Sequence, residues 1–589
     1  MKNTLKLLYY RYMNTSETWR LPHVLSTRYE ATETTEAVPV SAELREKLER
    51  GANRSSDWST VKIDPRTKPE DIHGCELDRC VIGADVTLHA SRISDSTIDY
   101  GARVANCSLI KGYIVGPKAV IESSRLEHSG STSFGNDVEI ALGNEFASRK
   151  TPIYAELSCD YLCDEAQNRT AIQLSEEEQQ RAHNYRSSMT SDLAVVGAEA
   201  EVVSVSTLRS SFVDDRIRLE GASLIEFSTF RSRSNAAGNK HEESRHSSAG
   251  HGVIVRSSHI QEGAAVLDRA QIVRSLLGHD AVVSTGASVT ESVICRRSEI
   301  AHGEVTSCLI GPLVNMHHQG LLIATVWPQG RGNMGSGAQV GSNHTSRLPD
   351  QTLIAGEGMF FGLATAVKFP ANYSRSPYSV IATGLITGPQ RVSFPFSLLS
   401  ILDDAPPDAP SGYNRLIPGW MFSHNLFAIL RNERKFAARL GKSVEETSAI
   451  RDDIIEYVHS ALERLESVQE PAGWYDEGRI EGVGKNVLLE VDRKRGISAY
   501  KDLLVYHELR KALSSGTSPD GDKLAQFNDL LERLKVRARD SRARDFHRER
   551  RVFDDYSDAH PGPETDEELN GVLYTLETEQ DLLERMDRG

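Results

Sequence analysis

Residues 75–126 read CELDRCVIGADVTLHASRISDSTIDYGARVANCSLIKGYIVGPKAVIESSRL. Aliphatic residues return every five or six positions, at Ile82, Leu88, Ile93, Ile98, Val104, Leu109, Val115, Val120 and Leu126. An amphipathic helix would repeat them at about 3.6 and a half-buried strand at about two, so a period near six is a separate signal. Three short strands of about six residues make one triangular coil with one aliphatic per side pointing inward, and coils stack like a parallel sheet about 4.8 Å apart. The expected fold is therefore mainly β, a left-handed parallel β-helix. Glycine follows several aliphatics, as in VIG at Val81–Gly83 and IVG at Ile114–Gly116, where the backbone turns or approaches another segment closely.

The rhythm extends over residues 75–400 with two expected excursions. The first, residues 144–192, contains the helical pattern SEEEQQRAHNYRSS; the second, residues 231–252, is polar and aperiodic. Between them the repeat runs through Val195, Val202, Leu208, Val213, Leu219, Ile225 and Phe230. It resumes through Ile254, Ile260, Val266, Ile272, Leu277, Val282, Val293, Ile300, Val305 and Ile310.

Residues 1–74 form an N-terminal segment. Within it VSAELREKLERG (Val40–Gly51) predicts a short helix capped by Ser41 and closed by Gly51, with Leu44 and Leu48 on one face. A Pro-rich linker, residues 401–412, leads into an α-helical domain and charged tail, residues 413–589. There NLFAILRNERKFAARLG, VEETSAIRDDIIEYVHSALERLESV, AYKDLLVYHELRKALSS and KLAQFNDLLERLKVRARD each carry helical apolar spacing. The run Arg431–Lys435 is expected to form salt bridges to the β-helix, and the Arg-rich run 533–551, mixed with acids, a solvated or docking helix rather than a nucleic-acid arm.

Bulk properties limit the function. The 589-residue chain has a formal charge of −15 and a pI near 5.7, against the basic footprint nucleic-acid binding needs. No apolar run approaches the roughly 20 residues of a membrane helix. Arg11 and Glu17 break the N-terminus before a signal-peptide core can form. Seven scattered cysteines in a long chain predict buried free thiols and a reducing, cytoplasmic setting. Cys159 and Cys163 have one-turn helical spacing but no second ligand pair, so no metal site is expected there.

Polar residues gather in Gly311–Pro395, where His317–His318, Asn343–His344–Thr345 and Lys368 interrupt an apolar–Gly rhythm. Adjacent strand residues face opposite ways, so at most one of His317 and His318 faces a groove. The pair, with Asn315 and Gln319, is either a polar corner or a base site. Asn343, His344, Arg347, Asp350 and Gln351 either bind phosphate or sugar hydroxyls, for which Arg is suited, or close a turn. Arg331 and Asn333 lie in a Gly-rich turn able to hold an anion. Glu357, between two glycines, can orient a histidine or bind a hydroxyl, and Lys368 either meets a phosphate or is solvated. His241, His246 and His251 recur every five residues and read as exposed loop histidines. IEGVGKN (Ile480–Asn486) has the composition of a phosphate loop without its spacing, and reads as a turn between helices.

The VIG, IVG and LIG steps resemble the hexapeptide-repeat superfamily of acyltransferases and sugar-nucleotidyltransferase tails. More closely, the chain from about Val40 resembles a bacterial family of unknown function, the DUF4954 family. The carrying segments are SSDWSTV, HHQGLLIATVWPQGRGNMG, GAQVGSNHTSRLPDQ, GEGMFFGL, SPYSVIATG, PQRVSFPFSL, PGWMFSHNLFAILRNERKF and IEGVGKN. The wider resemblance implies a histidine general base, His317 or His318, and acyl-CoA as co-substrate. It also implies a sugar or nucleotide-sugar acceptor and a homo-oligomer, a trimer. No Rossmann-like catalytic domain precedes the repeat, which argues against nucleotidyl transfer. Two functions follow as expectations: acyl transfer from acyl-CoA to such an acceptor, or a non-catalytic β-helix that binds a sugar phosphate or nucleotide sugar or serves as a scaffold.

Overall fold

Backbone groups of the aliphatic repeat find their partners one coil away. The computed structural model describes residues 36–136, 138–144, 150–167, 172–232, 246–342, 352–550 and 566–588, in two compact units, Met1–Pro328 and Gln329–Gly589. In the first unit Leu276–Leu277 pairs in parallel with Val293–Ile294, and that strand with Leu309–Ile310. The steps are 17 residues from Leu277 to Ile294 and 16 from Ile294 to Ile310, so each side of a coil takes five or six. The same column continues back through Ile260, Phe230, Val213, Val196, Val115, Ile98 and Ile82. All ten of these side chains are fully buried, each contributing roughly 1.5–3 kcal/mol through burial. The chain is thus a parallel β-solenoid.

The expected inward residues need six corrections, two of them at Val195 and Val293, where Val196 and Ile294 stand in the inward column instead. Ile110, Ile121, Val255 and Val283 point inward, not the partly exposed Leu109, Val120, Ile254 and Val282. In each case two aliphatics are adjacent, and alternation sends them to opposite faces without the pattern saying which goes in. The solenoid also starts earlier than residue 75, since Lys62–Ile63 already pairs in parallel with Val81–Ile82. The short helix forms at Ala42–Arg50, with the Ser41 hydroxyl accepting from the Leu44 N–H at 3.2 Å.

One corner carries a recurring device in six successive coils. Ser210, Phe227, Ser257, Arg274, Glu291 and Ser307 have φ between 45° and 54°, in the left-handed region. Such a conformation costs an L-residue roughly 1–2 kcal/mol. The residue after each is Ser211, Ser228, Ser258, Ser275, Ser292 or Cys308. The Ser211 hydroxyl accepts the Ser228 N–H at 3.2 Å, and Ser228 accepts from Ser258 at 3.2 Å. Ser258 then accepts from Ser275 at 3.1 Å, Ser275 from Ser292 at 3.0 Å, and Ser292 from Cys308 at 3.0 Å. Each serine hydroxyl also donates to the carbonyl two residues earlier, as Ser275 does to Val273 at 2.8 Å. These hydroxyls satisfy amides that the bend would otherwise leave buried without partners. The glycine of VVG answers a different need: a Cβ on Gly197 would lie 2.6 Å from Asp214 C and Asp215 N of the next coil.

The first excursion leaves the solenoid after Arg125–Glu127 and returns at Ala194–Val196, earlier than the expected residue 144. Its neck is an exchange of two backbone bonds between Thr132 and Ser191, each 2.8 Å. It contains a two-stranded ribbon, Glu139–Ile140 with Thr151–Pro152, and helices Cys159–Ala166 and Glu176–Met189. Ile140, Leu142, Ile153, Leu157 and Leu162 pack on Leu276, Val293, Leu309 and Val326, the outward members of the doublets LL, VI, LI and VW. Doublets therefore mark a solenoid side buried on both faces. All seven cysteines are buried and free; Cys163 Sγ lies 3.6 Å from Cys295 Sγ. Among the described residues no group of three or more His, Cys, Asp or Glu could hold a metal ion. The second excursion is pinched by an antiparallel bridge from Ser232 to His246, and the solenoid resumes at Ser248–Ala249 rather than after residue 252.

The boundary between units falls inside the repeat rather than at the Pro-rich linker. In the second unit Asn333–Met334, Phe360–Phe361, Val380–Ile381 and Leu398–Leu399 stack in parallel. Asn414–Ile417 then folds back antiparallel on Leu398–Ser400, pairing the last edge. Helices follow at Trp420–His424, Leu426–Leu440, Asp452–Glu466, Glu490–Ser515, Gly521–Arg550 and Glu567–Arg588. Arg431 and Lys435 pair with Glu568 of the last helix, not with the solenoid. Arg533 and Arg537 dock on Asp502. Among the described residues no helix is long and apolar enough to cross a membrane.

Two outcomes are expected. Ser275→Ala leaves the buried Ser292 N–H without its acceptor and lowers stability by about 1–3 kcal/mol in urea unfolding, whereas exposed Ser206→Ala changes it by less than about 0.5 kcal/mol. His259 is fully buried with Nε2 3.1 Å from the Gly135 carbonyl oxygen, and burial pushes its pKa down to about 4. The unfolded chain then binds more protons between pH 6.5 and 4, so this residue's contribution is full above about pH 6.5 and is lost as pH falls. His259→Gln flattens the pH dependence of unfolding over that window by about 3 kcal/mol relative to the wild type.

Candidate functional site

The histidine pair sits where one strand of the first unit ends. Asn315–Met316 pairs in parallel with Glu299–Ala301, Asn315 opposite Glu299 and Met316 opposite Ile300. Met316 points inward and ends the strand, so His317 and His318 occupy the turn beyond it and both reach the outer surface. This corrects the expectation that one faces inward: His317 is half-buried and His318 exposed. His317 Nε2 lies 3.6 Å from Glu299 Oε2. His302, from the preceding coil, stacks on His318 with centroids 6.2 Å apart and planes 20° apart. His317 meets His318 edge-on at 6.0 Å. Asn315 is half-buried beside the cluster and Gln319, at φ 52°, is exposed.

Glu299 and His302 were not singled out from sequence. Their signal is the coil length: His302 precedes His318 by 16 residues, one coil step, as Glu299 precedes Asn315. At 3.6 Å the Glu299 carboxylate is a charge neighbour of His317 Nε2 and not a hydrogen-bond acceptor, and that buried nitrogen has no hydrogen-bond partner among the described residues.

In the second unit the structure brings Arg331 and Glu357 together. Glu357, 2% exposed, accepts from the Tyr378 hydroxyl at 2.5 Å. Arg331 Nη1 lies 3.1 Å from its Oε1, and Arg451 from the helical region forks onto both carboxylate oxygens. Arg331 also donates to the Thr447 carbonyl at 3.1 Å. Burial and then the Glu357 charge push the Tyr378 phenol above its ordinary pKa. Burial works against the Arg451 charge, but the hydrogen bond and charge of Glu357 outweigh it and raise its pKa. Among the described residues no histidine meets Glu357, so it orients none. This is an internal clamp between last coils and helices, and it ties up two residues expected to meet substrate.

Asn333 is exposed on the strand opposite Phe360. Lys368 is half-buried at a strand end, beside a bulge at Val340–Ser342. Asn343, His344, Arg347, Asp350 and Gln351 lie outside the described residues, as does His241. His251 is exposed, its Nε2 3.9 Å from Glu220.

Parallel coils stepping by 16 or 17 residues, with aliphatic stacks inside, place the chain among β-solenoid proteins of the hexapeptide-repeat kind. Residues 40–406 match the family described as "Domain of unknown function (DUF4954)", which is more than half of the chain, and the chain belongs to that family. The match begins just before the Ala42–Arg50 helix and ends just past the last coil strand, Leu398–Ser400, so it covers the solenoid. An "Uncharacterized protein" of Treponema pallidum (strain Nichols) is 31% identical over 204 residues, 33% of this chain. That alignment spans 26% of the relative's own length.

Arg451→Met leaves a buried carboxylate with one cation fewer. It is expected to lower stability by about 3–5 kcal/mol, read as an earlier denaturant transition. A change below about 0.5 kcal/mol would mean that Glu357 is not held as the geometry has it.

Proposed function

We propose that the protein is a hexapeptide-repeat acyltransferase that moves an acyl group from acyl-CoA to a sugar or nucleotide-sugar hydroxyl or amine. The observation that carries this reading is His317 held 3.6 Å from Glu299 in a solvent-reachable cluster with His302 and His318. His317 is the general base: its ring nitrogen takes the acceptor's proton as oxygen or nitrogen attacks the thioester carbonyl, and the nearby Glu299 charge favours the imidazolium that forms. The thioester C–S bond breaks, and the CoA thiolate takes up the proton held by His317 and leaves as the thiol. Asn315 and Gln319 flank the base and position the acceptor. Asn343, His344, Arg347, Asp350 and Gln351 stay assigned to acceptor binding from sequence, with Asn333 and Lys368. The protein acts in the cytoplasm, with a homotrimer as the assembly expected from the superfamily.

A second reading is a non-catalytic solenoid that binds a sugar phosphate or nucleotide sugar, or scaffolds a partner. It is favoured by the sequestration of Arg331 and Glu357, which removes two polar residues from substrate contact.

Release of free thiol from acyl-CoA, across a panel of sugar and nucleotide-sugar acceptors, decides between them. His317→Ala is expected to lower kcat by about 10²–10⁴-fold with unchanged acyl-CoA binding. Glu299→Gln gives a smaller loss and an altered pH profile. Absence of thiol release from the wild type with every acceptor, together with nucleotide-sugar binding by calorimetry, would establish the second reading instead.

A further inference from the structure

The segment Trp474–Leu489 makes a second feature with the marks of a ligand site, away from any reading of the histidines. Strand Trp474–Tyr475 pairs antiparallel with Asn486–Leu489, so IEGVGKN is the turn entering a strand rather than a link between helices. Gly482 and Gly484 have φ of 89° and 67°. Their N–H groups converge on one anion, the Glu477 carboxylate, from Gly482 at 3.0 Å and from Gly484 at 2.5 Å. Converging amides in such a turn form an anion-binding concavity. Gln390 fixes the turn from outside, its Oε1 accepting from Lys485 N at 3.0 Å and Asn486 Nδ2 at 2.8 Å.

Three features exceed what capping a turn requires. At Gly482 a Cβ would lie 2.9 Å from Ser393 Cβ, 3.1 Å from Arg464 Nη1 and 3.4 Å from Ser393 Oγ, so only glycine fits and two side-chain donors come close to the turn. Arg464 has a buried Nε without a partner and forms no ion pair among the described residues. It is held by the Ser393 carbonyl at 2.5 Å and by the Phe394 ring at 4.9 Å. Burial lowers its pKa from the ordinary arginine value, and the charges of Glu481 and Glu477 offset this only in part. Finally, Glu477 itself is exposed, as is the neighbouring Lys485, so its side chain can swing into solvent without dismantling packing.

We propose that the Gly482–Lys485 turn is a binding site for the phosphate group of a small ligand, with the Glu477 carboxylate as a displaceable internal occupant. The amides of Gly482 and Gly484, the Arg464 guanidinium, the Ser393 hydroxyl and Lys485 supply donors to three phosphate oxygens. A dianionic phosphate gains from two cations at once, which a single carboxylate does not. Glu477 competes for the same amides, and Glu481 opposes it in the same field, so occupancy requires a ligand at a concentration that outcompetes a tethered carboxylate.

Calorimetric titration of the full chain with inorganic phosphate, at constant ionic strength, tests this. Glu477→Ala is expected to bind phosphate about tenfold tighter than the wild type, and adding Arg464→Met to it to weaken binding about tenfold or more. Equal affinity of wild type and Glu477→Ala, or undiminished affinity in the double variant, would overturn the proposal. Should Arg464→Met lose its far-ultraviolet circular dichroism, Lys485→Ala in the Glu477→Ala background takes its place. Its exposed side chain is removable without loss of fold, and unchanged affinity there overturns the proposal equally. Repeating the titration with a hexose phosphate separates the sources: tighter binding than inorganic phosphate points to a phosphorylated metabolite, equal binding to the free ion.

Discussion

The bond that the first unit's solenoid depends on is the one from a serine hydroxyl to the amide one coil onward. A coil can close only if the chain bends at each corner, and at one corner the bend puts an ordinary L-residue at positive φ. That conformation is unfavourable in every coil in which it recurs, and it turns the following amide toward the interior. The hydroxyls of Ser211, Ser228, Ser258, Ser275 and Ser292 answer the amides one after another. Because each hydroxyl also ties back to its own chain, the ladder fixes both the bend and the register. The aliphatic columns then stack one above another, and a slip of one residue would turn each inward side chain out.

Fixed register is also what assembles polar groups from separate coils. His302 and His318 stack because a 16-residue step brings equivalent turn positions together. Glu299 meets His317 for the same reason. In the second unit the stacked coils bring Arg331, Glu357 and Tyr378 into one buried cluster that receives Arg451 from the helices. Similar chemistry thus serves two ends. A carboxylate at the surface lies 3.6 Å from an imidazole nitrogen, while a carboxylate 2% exposed serves to join elements.

The β-helix was legible because its period near six belongs to neither helix nor ordinary strand, and the terminal helices because their apolar faces are continuous. The phase was less legible: at Leu109–Ile110 and Val282–Val283 either residue satisfies the pattern, and only the opposite side of the coil decides. Serines 211, 228, 258, 275 and 292 were visible too, spaced by 17 residues except where the second excursion adds its length. They pass unnoticed because serine is common and their partners lie one coil away. The doublets LL, VI, LI and VW announced a covered face, yet not that residues 139–162 cover it. Glu357 illustrates the limit: its two flanking glycines implied a polar site, but Arg451 lies 94 residues further along, and nothing local reveals such a partner.

The most direct test of this account is amide hydrogen exchange across the corner positions of the first unit, read for Ser228, Ser258, Ser275, Ser292 and Cys308. The hydroxyl ladder requires that these amides exchange as slowly as those of the aliphatic strands beside them, such as Leu277 and Ile294. Rapid exchange at the corners with protected strands would show that the hydroxyls do not hold the bend, and would contradict the account of how the coils keep their register.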